Sequence, residues 1–137
     1  MNYEKLAAQL TIDEGRSARV YTDTVGKLTA GVGRNISDRA FSDDEIDLML
    51  KNDIALVEQA LDRALPWWRQ MNDARQNVLA NMAFMGIGSL LGFVNTLNAM
   101  KAGRYDAAAD GMLDSKWAKQ VGQRADRLAE MMCKGEF

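Results

Sequence analysis

Apolar residues recur at helical spacing along most of the chain, and one glycine-punctuated interval between residues 17 and 35 breaks that rhythm. Tyr3, Leu6, Ala7 and Leu10 share one face of a short amphipathic helix over residues 2–11. The stretch from Thr11 to Gly15 ends it, with Gly15 a suitable stop. Val20-Tyr21, Lys27-Leu28-Thr29 and Val32, separated by Asp23-Thr24-Val25-Gly26 and further glycines, predict two or three short strands. So small a sheet buries little by itself and must lean on helices. Ser42-Asp43-Asp44-Glu45 is a capping box with acids in the first turn. It opens a long helix to about Ala64, in which Ile46, Met49, Leu50, Ile54, Val57 and Leu61 are spaced for one buried face. Pro66, the only proline, stops that helix.

Trp67 and Trp68 follow in a short connection and read as core plugs. Asn72 is placed to cap a helix through about Phe84, whose Val78, Leu79 and Met82 mark it as central and heavily buried. Gly86, Gly88 and Gly92 predict a tight bend. A helix over Val94–Lys101 comes next, closed by Gly103, and further helical segments cover about Asp106–Leu113 and Gln123–Cys133. The pattern predicts a mainly helical α+β domain. A small mixed lobe spans about residues 13–42 and a connecting helix about 43–64. A helical lobe takes about 65–137 together with 1–12.

Composition narrows the chemistry. The 137 residues are 47% hydrophobic and 26% charged, ordinary for one soluble domain with a real core. No apolar run approaches the roughly 18 residues that a membrane span needs, and Met1-Asn2-Tyr3-Glu4-Lys5 lacks the features of a signal peptide. The single cysteine, Cys133, excludes an intrachain disulfide, and its apolar helical surroundings predict a small core residue. There is no histidine, which removes Ser-His and Cys-His catalysis and every histidine-containing metal site. Carboxylates are left as the leading proton carriers. Residues 1–62 hold 7 Lys/Arg against 12 Asp/Glu, and residues 63–137 hold 10 against 7. That asymmetry fits a basic face toward an acidic polymer as well as it fits scattered solvated charge. No basic cluster with interleaved aromatics marks a nucleic-acid site.

Two carboxylates, Glu14 and Asp23, flank the first extended segment, and the hydroxyl of Thr29 lies on the next. Glycoside hydrolysis requires such a carboxyl pair, one to protonate the departing oxygen and one to stabilise positive charge or handle water. Glu14 stands at a helix C-terminus, where the macrodipole disfavours a negative charge, and this suits a proton donor. Among 19 acidic residues many pairs lie nine apart, and an Asp at a turn start is routine. By spacing alone, Glu14 in a salt bridge and Asp23 starting a turn would explain both.

The order of motifs is more specific. Ile12-Asp13-Glu14-Gly15, then Tyr21-Thr22-Asp23-Thr24-Val25-Gly26, then Leu28-Thr29-Ala30-Gly31-Val32-Gly33, resembles the signature of the T-even phage-type lysozymes, glycoside hydrolase family 24. Ser42-Asp43-Asp44-Glu45 is similar to the start of that family's interlobe helix. Asn81-Met82-Ala83-Phe84 is similar to its central helix, and Gly92-Phe93-Val94-Asn95-Thr96-Leu97 to the following bend. Ser115-Lys116-Trp117 through Gln123-Arg124-Ala125 resembles its closing segment.

The resemblance implies a lysozyme-like two-lobed fold, with a cleft between a small sheet lobe and a helical lobe joined by the long helix. It implies an endolysin, a muramidase cutting β-1,4 links between N-acetylmuramic acid and N-acetylglucosamine in bacterial peptidoglycan. Glu14 would be the general acid, Asp23 the second carboxylate and Thr29 the hydroxyl that positions water. Inversion would need the two carboxyls about 6.5–9.5 Å apart. Arg124 is the counterpart of an arginine that pairs with the catalytic glutamate. Arg34 stands where many relatives have histidine, with Asp53 as its expected partner. Phe84 and Gly86 would line the substrate side.

Neither metal nor cofactor is implied, and a monomer without stable membrane association is expected. The host cytoplasm before lysis, then the periplasm and wall after a holin lesion, is the expected location. Two segments depart from the pattern: the connector from Arg34 to Ser42 is short, and the bend after Phe84 is about one residue shorter than usual. A non-catalytic glycan-binding protein of the same fold is the alternative reading.

Overall fold

A computed structural model describes residues 1–137. Its contacts group into two compact units, residues 1–48 and residues 49–137, with the division inside the long helix.

The first unit begins with helix α1, Tyr3–Glu14. Asn2 caps it by accepting from the Lys5 N–H at 3.0 Å, and the Gly15 N–H closes it on the Thr11 carbonyl at 3.0 Å. Strands β1 (Ser17–Thr22), β2 (Leu28–Gly31) and β3 (Arg34–Asn35) follow as an antiparallel sheet in chain order. Tyr21 faces Thr29 across β1–β2, Thr29 faces Asn35 across β2–β3, and an irregularity bends β1 between Ser17 and Tyr21. Residues 1–12, expected with the helical lobe, group with this sheet. No residue of α1 is buried.

Helix α2, Asp43–Ala64, starts as the capping box predicts. The Ser42 N–H donates to Glu45 Oε1 at 2.9 Å, and the Glu45 N–H donates to Ser42 Oγ at 3.3 Å. Of the apolar stripe expected to be buried, only Leu61 is fully so, with Val57 partly covered; Ile46, Met49, Leu50 and Ile54 are exposed. The expected buried face is therefore confined to the helix's last turns.

In the second unit, Pro66–Gln70 forms a 3-10 turn that lowers Trp68 into the core, where its indole N–H donates to Asp62 at 2.7 Å. Helix α3 (Asp73–Ala83) is capped by Asn72 and carries the fully buried Val78, Leu79 and Met82. Around it lie α4 (Ile87–Leu91), α5 (Val94–Lys101), α6 (Tyr105–Leu113), α7 (Lys116–Val121) and α8 (Gln123–Lys134). The core is rich in thioethers: Met71, Met82, Met100, Met112 and Met132 are all buried. Arg75 seals the end of α8. It donates to the carbonyls of Met132 at 2.8 Å and Cys133 at 2.9 Å while its guanidinium lies 3.6 Å over the Tyr105 ring.

Cys133 corrects the sequence reading: it is exposed, and its Sγ donates to Asp106 Oδ1 at 3.0 Å. The buried stripe of α8 is taken by Ala125, Leu128, Ala129 and Met132, so the next position turns outward. The hydrogen bond that the thiol donates to Asp106 pushes it above its usual range, with partial desolvation and then the carboxylate's charge acting in the same direction.

Candidate active site

Glu14 is the last residue of α1, and a glycine nineteen positions later determines where its side chain goes. A Cβ built on Gly33 would lie 2.7 Å from Glu14 Oε2 and 2.9 Å from Glu14 Cβ. The carboxyl group is therefore seated directly on the backbone of the β2–β3 turn, in space that only glycine leaves. Gly33 also has φ +62°, which L side chains avoid. Two demands thus meet at one residue, the turn's conformation and room for the acid.

Asp23 is held differently. Its Oδ1 accepts the N–H groups of Val25 at 3.0 Å and Lys27 at 2.8 Å, while its own N–H donates to the Lys27 carbonyl at 2.9 Å. The side chain thus organises the β1–β2 turn as an Asx motif, and Oδ2 has no hydrogen bond within the chain. The routine turn role and a chemical role are compatible, because they use different oxygens. Thr29 is 4% exposed, and its hydroxyl donates to the Lys27 carbonyl at 3.1 Å, so its oxygen keeps lone pairs for a further donor. Glu14, Asp23 and Thr29 all belong to the first unit, carried by one helix end and one hairpin.

The connector 35–41 is stitched to β2. Leu28 N–H donates to Ser37 Oγ at 2.9 Å, Ile36 N–H donates to the Leu28 carbonyl at 2.9 Å, and Lys27 pairs with Asp38 at 3.1 Å. The Lys27 ammonium and the Asn35 amide hold the Asp38 carboxyl below its usual range.

Arg34 forms its ion pair with Glu45, in the first turn of α2. Asp53, the partner expected from the resemblance, belongs to the second unit. Glu45 is the capping-box residue, and the Ser42 backbone and hydroxyl, followed by Arg34, lower its carboxyl to about 2. The ordinary glutamate value is 4.5, so between that value and about 2 the unfolded chain takes up a proton that the folded chain refuses. The stabilisation is complete above 4.5 and is lost as pH falls through that window. The Tm difference between the wild type and Glu45→Gln is therefore expected to be widest above pH 4.5 and to close toward pH 2. A gap that persists at pH 2 would contradict the assignment.

In the second unit Arg124 donates from Nε at 2.9 Å and from Nη2 at 2.6 Å to Asn81 Oδ1. Glu14, its expected partner, lies in the other unit. Arg124, Asn81 and Phe84 do meet, along a groove of about 560 Å³ that also includes Ile54 and Leu128. Phe84 is exposed at the end of α3, and Gly86 (φ +128°) opens α4 outside that groove. The bend between them is held by the Trp117 indole, which donates to Met85 Sδ at 3.2 Å and meets Phe93 edge-on. No three His, Cys, Asp or Glu side chains gather as a metal site.

Sequence reasoning missed three residues here. Gly33 was visible as a motif letter but not as the seat of Glu14. Glu45 was visible only as a cap, and Asn81 only as part of a helix motif.

Comparison with known proteins assigns the chain to a family. The family model described as phage lysozyme matches residues 11–131. The chain is 29% identical to the pre-baseplate central spike protein Gp5 of Enterobacteria phage T4, over an alignment covering 96% of this chain and 28% of that protein. It is 20% identical to the probable T4-type lysozyme 1 of Dictyostelium discoideum, with 90% of each chain covered. The chain thus spans little more than a quarter of the spike protein and most of the amoebal one. The model match runs from the last turns of α1 into α8 and takes in the whole candidate site: the chain belongs to the phage lysozyme family.

Proposed function

We propose that this chain is a muramidase that hydrolyses the β-1,4 bond between N-acetylmuramic acid and N-acetylglucosamine in peptidoglycan. The observation that carries the reading is the seating of the Glu14 carboxyl on Gly33, in the unit that also holds Asp23 and Thr29. Glu14 gives its proton to the glycosidic oxygen as the C1–O bond breaks. A water held by the Thr29 hydroxyl attacks C1 from the opposite face, and the free oxygen of Asp23 takes its proton. One bond to oxygen is exchanged for another with inversion, and no covalent enzyme intermediate forms.

Inversion converts a β-linked muramic acid into an α reducing end. Proton NMR of fresh digests of peptidoglycan strands is expected to show the α anomer first, with β appearing only by mutarotation. Initial β product, or an anhydro end, would remove water positioning from Thr29 and base duty from Asp23.

The cellular role we propose is that of an endolysin, a monomer that collects in the host cytoplasm and reaches the wall through a holin lesion. The likeness to a central spike protein favours a second reading, a lysozyme acting from the virus particle. Immunoblots of purified particles and of infected-cell lysates separate the two.

A further inference from the structure

The first unit contains a pocket of about 410 Å³ whose chemistry differs from that of a neutral sugar. Residues 30–34 of the β2–β3 turn form one wall, and Ile36, Arg39 and Phe41 of the connector form the other. Val32, Ile36 and Phe41 make it largely apolar. It holds two cations, and Glu45 neutralises one of them, Arg34. The Arg39 guanidinium has no ion pair or side-chain hydrogen bond, although its backbone N–H is fixed on the Asn35 carbonyl at 3.1 Å. Gly33 belongs both to this wall and to the seat of Glu14, so the pocket adjoins the proton donor.

We propose that this pocket is a subsite for the peptide branch of the glycan, in which Arg39 binds a branch carboxylate. The inference rests on the muramidase reading. Peptidoglycan sugars are uncharged along the strand, and their anionic groups are carried by short peptides on alternate sugars. Those peptides join carboxylates to methyl and methylene groups, the mixture that a free guanidinium beside Val32, Ile36 and Phe41 accommodates. A planar fork can grip a carboxylate at two points, which makes it selective for an acid over an amide. Arg39 is thereby a specificity residue, and it takes no part in bond cleavage.

The test uses the full chain and two polymers: intact sacculi, and sacculi whose peptide carboxylates have been converted to amides with carbodiimide and ammonia. Co-sedimentation is measured in a Glu14→Gln background so that the polymer survives. Arg39→Gln is expected to weaken binding to intact sacculi about tenfold and to leave binding to amidated sacculi unchanged. Arg39→Lys should recover part of the loss. Arg19→Gln, which removes an exposed cation of β1 outside the pocket, should lose no preference. Equal affinity of the parent for both polymers, or an equal loss on both from Arg39→Gln, overturns the subsite. Hydrolysis by the wild type is scored separately. Cleavage without a charge preference sinks the subsite alone, whereas an Arg39-dependent preference without cleavage upholds the subsite and sinks the muramidase reading.

Discussion

Glu14→Gln is expected to slow peptidoglycan hydrolysis about 10³-fold or more, with the fold intact. The amide keeps the size and shape of the carboxyl group but cannot hand a proton to a departing alkoxide. Little stability should change, because Glu14 is exposed and its carboxylate makes no hydrogen bond or ion pair. A change in folding free energy within about 0.5 kcal/mol is expected for such a site. Turbidity loss of wall suspensions and thermal melts of the same preparations check both halves. Undiminished lysis by the glutamine variant would take the acid role away from Glu14.

Gly33→Ala should cost nearly as much activity through geometry alone. The added methyl would overlap both the carboxyl and the Cβ of Glu14, and the Cβ cannot swing aside without moving the end of α1. Displacement of a reacting group by about 1 Å can cost on the order of 10²-fold in rate. The alanine must also adopt φ +62°, at a cost of about 1 kcal/mol or more. Gly103→Ala supplies the control. Gly103 has φ +77°, so it carries a comparable backbone cost, but a Cβ there meets nothing within 4 Å and the residue lies outside the candidate site. Gly33→Ala is expected to lose far more activity than Gly103→Ala. Matching activity losses would mean that backbone strain, rather than the seat of Glu14, governs the effect.

Local signals were the legible ones. The capping box at Ser42–Glu45 and the Asn72 cap rest on side chains that satisfy neighbouring backbone groups, the helix Val94–Lys101 rests on its apolar spacing, and all appear where the pattern placed them. Helices α4 and α7 went unread, being five and six residues long and too short for periodicity to speak. Cys133 was misread because apolar neighbours along the chain say nothing about which face of a helix a residue takes.

In the candidate site, Glu14, Asp23 and Thr29 are singled out as candidates by the order of motifs, since each residue type alone is common. What lay beyond sequence was pairing at a distance. That Arg34 meets Glu45 depends on where β3 ends against the first turn of α2, and that Arg124 meets Asn81 depends on how α8 crosses α3. The Asp23 turn shows a further limit. A turn-forming residue and a reactive one look identical in sequence, and only the separate accounting of its two oxygens lets both descriptions stand.

The thioether core has a consequence under oxidative attack. Met71, Met82, Met100, Met112 and Met132 are sheltered from peroxide as long as the second unit stays folded, whereas Met1 and Met85 lie open to it. A sulfoxide is polar and has no place among Val78, Leu79 and Leu90, so oxygen added during a transient opening obstructs reclosure. Each opening in an oxidising medium is thus a one-way risk, and the lifetime of the protein there is set by how often its helices part.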